Sequence, residues 1–335
     1  MIDKIEKVSV EKLTNKKEKI GMKLVNDNKY CIVVLSGGQA TRFGLNGPKG
    51  AYTKDVGYAV KSIFEMLLLD PLKKGINIYI MVSKDNENET KRHFLENKEL
   101  SKYLKQVNFF RQEERNLRNI DGTKLKIDGK EITASAGHGS VFKSLKTTGM
   151  LEKMKADGVS KVMISNVDNI CGGILDYSFI GESLGTDLVI KTVKRENPNE
   201  KVGLFALKDK KLEVIEYTEV DVNLRNKKDN EGFFLNWCNV MLQIMDIKYI
   251  ERISDTKMKI HKQFKKKWNK DFIKEEKFLF DIFPKAKVFK IFEVDRTLEF
   301  SPIKTIEDVD KAVLQYIIKK IKKKNLESEI RELLD

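Results

Sequence analysis

Short unbroken apolar runs recur along this chain, separated by stretches in which apolar residues return every three or four positions. Tyr30–Leu35 (YCIVVL) is apolar throughout and partly β-branched, the pattern of a strand buried on both faces of a parallel sheet. Residues 60–69 (VKSIFEMLLL) read as a buried helix and 76–82 (INIYIMV) as a second strand. A helix over 86–95 and a strand over 107–110 follow. Further on come a hairpin over 124–133 with Asp128-Gly129 at its turn, a helix over 141–155 and a strand over 161–165. The second half holds a strand over 187–193, a hairpin over 204–220 and strands over 233–242 and 288–294. Alternation of strands and helices predicts an α/β fold, with a mixed, mainly parallel central sheet flanked by helices and right-handed crossovers. Between 246 and 275 the aromatics Phe264, Trp268 and Phe272 recur at i, i+4, i+8 among lysines, which predicts a basic amphipathic helix. Residues 1–28 read as a helical lead-in, 29–305 as the core domain and 306–335 as a basic C-terminal helix, with Thr305 as its N-cap.

The chemistry gathers at strand ends. Tyr30–Leu35 stops at Ser36-Gly37-Gly38, where two glycines let backbone N–H groups turn toward an anion. Arg42 and Lys49 place two cations on the same loop, and Pro48 stiffens the segment carrying Lys49. A strand, a glycine turn and basic residues in that order make a phosphate cradle. It is not a Walker A loop, because Lys49 is followed by Gly50, and it lacks the G-x-G-x-x-G dinucleotide fingerprint. After the third strand, the Gln112 amide is placed either to bond a base edge or to sit in solvent. In Gly137-His138-Gly139 the glycines permit close approach of a planar ligand, and the imidazole offers a donor or a stacking face. Asp168, just past the strand over 161–165, reads as a Mg²⁺ ligand facing the phosphate loops or as a helix N-cap.

Charge and cysteines narrow the setting. Of the 335 residues, 41% are hydrophobic, which fits a globular chain, and the net charge of +14 favours polyanionic partners. Nucleic acid, an anionic membrane surface and phosphorylated small molecules all satisfy that charge, and the lysine runs at 265–267 and 322–324 read as solvated faces. The three cysteines share no metal-ligand spacing and read as reduced thiols of a cytoplasmic protein. No signal-type apolar segment opens the chain and no apolar run reaches 18 residues, which argues against secretion and membrane spanning.

The stretch from Leu35 to Gly50 resembles the L-x-G-G-x-x-T-R-x-G-x-x-x-P-K-G loop of sugar-nucleotide pyrophosphorylases, in the form found in the UDP-sugar branch. The resemblance implies a Rossmann-like, GT-A-like nucleotidyltransferase core that joins UTP to a sugar 1-phosphate, giving a UDP-sugar and diphosphate. It implies catalytic roles for Arg42, Lys49 and Lys304, nucleotide contacts from Leu35, Ser36, Gly37, Gly38, Gln112, Gly137 and His138, and Mg²⁺ at Asp168. Residues 194–203 and the E-Y-T-E run at 216–219 are similar to the sugar-pocket motifs of UDP-N-acetylhexosamine pyrophosphorylases. By that likeness Asn169, Gly203, Glu216, Tyr217 and Asn236 contact the sugar. The second half favours N-acetylglucosamine 1-phosphate, whereas His138 and the bulky Trp237-Cys238 lean toward glucose or galactose. N-acetylhexosamine ranks first. Neither nucleic acid nor membrane is an expected partner on this reading. A non-enzymatic polyanion binder is the distant alternative, since it explains the charge but not the loops.

Overall fold

In the computed structural model, which describes residues 5–38, 43, 47–230 and 232–334 with side chains through residue 324, Tyr30–Leu35 (β1) is buried along its whole length. It pairs in parallel with Ile78–Val82 (β2), which continues to Val107–Arg111 (β3), and on its other side with Lys161–Asn166 (β4). Leu188–Lys194 (β5) is separated from β4 by Trp237–Asp246 (β6), which runs antiparallel to both. Phe289–Glu293 (β7) and the two-residue strand Glu11–Lys12 complete that edge in parallel with β5. The sheet is therefore mixed and mainly parallel, as the alternating pattern predicts.

Strands buried on both faces need a core on each side. One core contains Ile32, Val34, Ile78, Ile80 and the helix Ile63–Lys73, and the other Cys31, Val33, Met81, Ile164 and the helix Val141–Thr147. The first of these helices starts at a capping box, with Ser62 and Glu65 each bonding the other's backbone N–H. All three cysteines are buried and unpaired. Among the described residues no helix is long and apolar enough to cross a membrane.

Three readings change. The stretch 246–275 is not one helix: Ile247–Ile253 is helical, and His261–Lys267 then pairs antiparallel with Lys270–Glu276. Trp268 and Asn269, both left-handed at φ 53° and 52°, make the two-residue turn that such a hairpin requires. Its aromatics form no stripe, since Phe272 is buried while Phe264 is 71% exposed. The helix over 141–155 breaks at Gly149, whose φ of 77° ends one helix and opens Met150–Ala156. Within the N-terminal stretch, α-helix is confined to Glu18–Asn26, and Ile5–Glu6 pairs with the hairpin strand Leu204–Lys208.

Candidate active site

Because β1 and β4 are parallel and in register, with Leu35 opposite Asn166, they release two loops side by side at their carboxyl ends. The loop after β1 is held from beneath. Ser36 N–H donates to Met81 at 2.9 Å. The buried Asn86 amide donates to the carbonyls of Ser36 (2.8 Å) and Gly38 (3.3 Å), and its oxygen accepts from Ser83 N–H. A Cβ at Gly37 would fall 2.2 Å from Gln112 Oε1, so any side chain there displaces the Gln112 amide. One at Gly38 would meet nothing within 4 Å among the described residues.

Gln112 follows β3 and couples this loop to the next. Its N–H donates to Val82, and its side-chain amide donates to the Gly137 carbonyl at 2.7 Å. Gly137 has φ 86°, and a Cβ on it would lie 2.5 Å from the Lys277 carbonyl; one on Gly139 would lie 2.6 Å from the Phe278 backbone. Both glycines thus let the loop pack against residues 277–278, a cause the sequence does not reveal. His138 Nδ1 accepts from Leu279 N–H at 3.0 Å, which places the proton of the neutral ring on Nε2. Its ring stacks on Phe278 with centroids 5.4 Å apart. Burial pushes its pKa down to about 4 against the opposing charge of Glu276, and His261 adds to the depression.

After β4 comes Asp168, whose carbonyl accepts from Ile303 N–H at 2.8 Å. Lys49 donates to the Ile303 carbonyl at 2.9 Å and stands 3.8 Å from the Asp168 carboxylate. Burial raises the Asp168 carboxyl above its ordinary value, and Lys49 and then Lys304 pull against that rise. Asp168 caps no helix; Asp176 caps the next one, Tyr177–Glu182.

Leu35, Gly37, Gly38, Lys49, Gln112, Gly137, His138 and Asp168 line one cleft of about 290 Å³. Ser36 is buried just behind it. The cleft also takes Lys274 and Glu276. These are alternate residues of the Lys270–Glu276 strand, paired at 2.7 Å. Reading that stretch with the period of a strand instead of a helix would have set both on one face. Asn86 carried no comparable signal. Arg42 lies outside the described residues.

The expected sugar contacts fall into two groups. A Cβ on Gly203 would lie 3.1 Å from Glu216 Oε1, so the two adjoin across the hairpin. Burial raises the Glu216 carboxyl, Glu219 adds to the rise, and Lys304 opposes it. Lys304 is exposed and donates to the Lys201 carbonyl at 3.3 Å, yet its charge reaches both Glu216 and Asp168. Asn169 is otherwise engaged: its amide donates to the Glu299 carbonyl at 2.8 Å and accepts from Ser301 N–H at 3.2 Å. Tyr217 is 36% exposed, and its carbonyl accepts from Arg225. Asn236 accepts from Arg195 N–H through its carbonyl. None of Asn169, Gly203, Glu216, Tyr217, Asn236 and Lys304 is among the residues lining the cleft, and Trp237 packs under Lys194.

The chain resembles known proteins over nearly its full length. A family model described as UTP–glucose-1-phosphate uridylyltransferase matches residues 1–328. The chain is 32% identical over 328 residues to a probable UDP-N-acetylglucosamine pyrophosphorylase of Dictyostelium discoideum, covering 86% of this chain and 67% of that protein. It is 30% identical to UDP-N-acetylglucosamine diphosphorylase 2 of Arabidopsis thaliana, with 85% of this chain and 63% of that protein covered. The chain therefore spans about two thirds of the length of these relatives. The solved UDP-N-acetylglucosamine pyrophosphorylase of Trypanosoma brucei, in complex with an inhibitor, superposes with a TM-score of 0.83 at 26% identity, covering 90% of this chain and 67% of that one. A Leishmania major UDP-glucose pyrophosphorylase with UDP-glucose superposes at 0.76 and 17% identity, over 91% and 69% of the two chains, a likeness of fold.

Proposed function

Since the chain belongs to the UTP–glucose-1-phosphate uridylyltransferase family, we propose that it joins UTP to a hexose 1-phosphate, with N-acetylglucosamine 1-phosphate as the preferred partner. A phosphate oxygen of the sugar ester attacks the α-phosphorus of UTP; the new P–O bond forms as the bond to the β-phosphate breaks, and diphosphate leaves. Both reactants are polyanions, and the attacking oxygen is already ionised, so the protein's task is positioning and charge neutralisation. The observation that carries this reading is the meeting of the two glycine loops, Lys49 and Asp168 around one cleft.

On this reading residues 35–38 hold the triphosphate, and Gln112, Gly137 and His138 hold the uridine. Arg42 neutralises the departing diphosphate, Lys49 the α-phosphate, and Lys304 the sugar phosphate. Gly203, Glu216, Tyr217 and Asn236 face the sugar. Lys274 joins the cations of the cleft. Mg²⁺ suits the Asp168 carboxylate, since the other carboxylate of the cleft, Glu276, is paired with Lys274: among the described residues no three His, Cys, Asp or Glu side chains cluster, and Mg²⁺ is ordinarily held by one or two carboxylates with phosphate oxygens and water. Asp168 would hold it, and the ion would supply neutralisation of the α-phosphate. A cytoplasmic location is supported by the buried, unpaired cysteines.

Curated relatives named for N-acetylglucosamine favour the N-acetylated sugar. His138, in the Gly-His-Gly form closer to the UDP-glucose enzymes, supports glucose 1-phosphate as a second reading. Diphosphate release from UTP with N-acetylglucosamine, glucose and galactose 1-phosphates tests both. The highest kcat/KM falls to the first sugar if the proposal holds, and release with none of them refutes the enzyme assignment.

A further inference from the structure

Behind the cleft, Lys191 of β5 is wholly buried. Its ammonium lies 2.7 Å from Asp176 Oδ2, 3.2 Å from Glu299 Oε2 and 3.3 Å from the Gly173 carbonyl. Glu299 is shared further. It accepts from Gly173 N–H at 2.6 Å and from Lys319 Nζ at 2.8 Å, and Lys319 also donates to the Cys171 carbonyl. Asn169 bonds the backbone of Glu299 and of Ser301. Two residues beyond Ser301, the backbone N–H and carbonyl of Ile303 bridge Asp168 and Lys49.

These contacts join two segments distant in sequence. One is the loop after β4, which begins with Asp168; the other is the stretch from Glu299 to Lys304. None of Lys191, Asp176, Glu299 and Lys319 is among the residues lining the cleft. Buried ion clusters are weak devices for stability, because well-packed apolar residues commonly do as well. What charged and bidentate groups add is a fixed distance. With Lys191 and Lys319 on its two oxygens, Glu299 stays ionised, its carboxyl held below the ordinary value although burial alone would raise it.

We propose that Lys191 is a positioning residue: clamped between Asp176 and Glu299, it sets the loop bearing Asp168 against the segment bearing Lys304. It thereby fixes the spacing between the carboxylate proposed for the metal and the cation proposed for the sugar phosphate. The catalytic half of this statement rests on the uridylyl transfer proposed above; the geometric half does not.

The test is Lys191→Met, which keeps the length of the side chain and removes the charge. We expect kcat to fall on the order of 10²-fold, as misplacement by about an ångström does. The KM for the sugar 1-phosphate rises more than that for UTP. Hydrogen exchange at the Ile303 amide, read by mass spectrometry or NMR, becomes faster. A folded variant with wild-type kcat and wild-type protection at Ile303 overturns the proposal, as does a lower Tm with kinetics and exchange unchanged. If the wild-type protein releases no diphosphate with any sugar 1-phosphate, the reaction fails, and exchange at Ile303 still decides the positioning role. Should Lys191→Met not fold, Lys319→Met removes the outer cation, and the same shifts in kcat and exchange are expected at smaller size.

Discussion

Lys49 and Asp168 are joined twice, directly with Nζ 3.8 Å from Oδ2, and through the backbone of Ile303, whose carbonyl accepts from Lys49 at 2.9 Å and whose N–H donates to the Asp168 carbonyl at 2.8 Å. The backbone of one residue therefore ties the first phosphate loop, the end of β4 and the Lys304 segment into a single corner of the cleft. Lys49 has two tasks in this arrangement, carrying charge and holding that backbone. Lys49→Ala is expected to lower kcat for UDP-sugar synthesis by about 10²–10³, the usual size for loss of one preorganised electrostatic contact. Lys49→Arg keeps the charge but not the fit and should recover only part of the rate. Initial rates for the purified variants, with Tm recorded alongside, settle the matter; turnover at the wild-type level in Lys49→Ala removes the residue from the mechanism.

Asp168 is held at a cost to the fold. Burial raises its carboxyl above the ordinary value, so the folded chain binds that proton more tightly than the unfolded chain does. The contribution to stability is greatest below the unfolded value of about 3.9 and declines as pH rises through the folded one. Asp168→Asn should therefore raise Tm at neutral pH, by roughly a degree or two for a chain of this size. Activity should fall steeply at the same time, and its Mg²⁺ dependence should flatten. A lower Tm in a metal-free thermal scan would show that pairing with Lys49 outweighs desolvation. Unchanged Mg²⁺ dependence would take the metal away from this residue.

The parts legible in the sequence are those whose cause is local. β1, β2 and β4 announce themselves because burial on both faces leaves no polar alternation, and the loop at Ser36–Gly38 follows because glycines interrupt an apolar run. The hairpin 261–276 carries the pattern of a helix for a physical reason. Aromatics four apart satisfy a helical period, and a lysine-rich strand with one exposed face has no apolar alternation to betray it. Only the left-handed turn at Trp268 and Asn269 forces the hairpin, and neither residue is a glycine. Lys274 and Glu276 were lost with that strand. Asn169 looked like a sugar ligand, whereas the backbone it holds, at Glu299 and Ser301, lies about 130 residues away in sequence. Contacts across such separations carry no signature in one chain.

The two glycines after β1 make a paired prediction. A Cβ on Gly37 would strike Gln112 Oε1, whereas one on Gly38 would meet no described residue within 4 Å. Gly37→Ala should lower Tm and weaken UTP together, because Gln112 must move and its bond to Gly137 goes with it. Gly38→Ala should leave Tm unchanged and raise the KM for UTP, since among the described residues nothing stands in the way of the added methyl and the proposed triphosphate does. Calorimetric titration of UTP into each variant reads the difference. Wild-type UTP affinity in Gly38→Ala would mean that the triphosphate does not approach this backbone.

His138 is a tempting acid–base candidate, and its surroundings say otherwise. Nδ1 is occupied by Leu279 N–H, and the ring lies against Phe278. Its pKa is pushed down to about 4, from 6.5 when unhindered. The ring is thus neutral throughout the physiological range, so the pH profile of kcat/KM should show no limb belonging to it. In NMR its ring protons should not shift above about pH 5. Stability follows with a definite sign. The unfolded chain takes up the proton first, so the contribution is fully present above pH 6.5 and is lost as pH falls from there toward 4. His138→Asn, which cannot titrate, should flatten the pH dependence of Tm across that interval. It keeps a polar group beside the uridine, so uridine-nucleotide binding should weaken without vanishing. If the slope of Tm against pH survives the substitution, the acid sensitivity belongs to other groups and the ring is not buried as described.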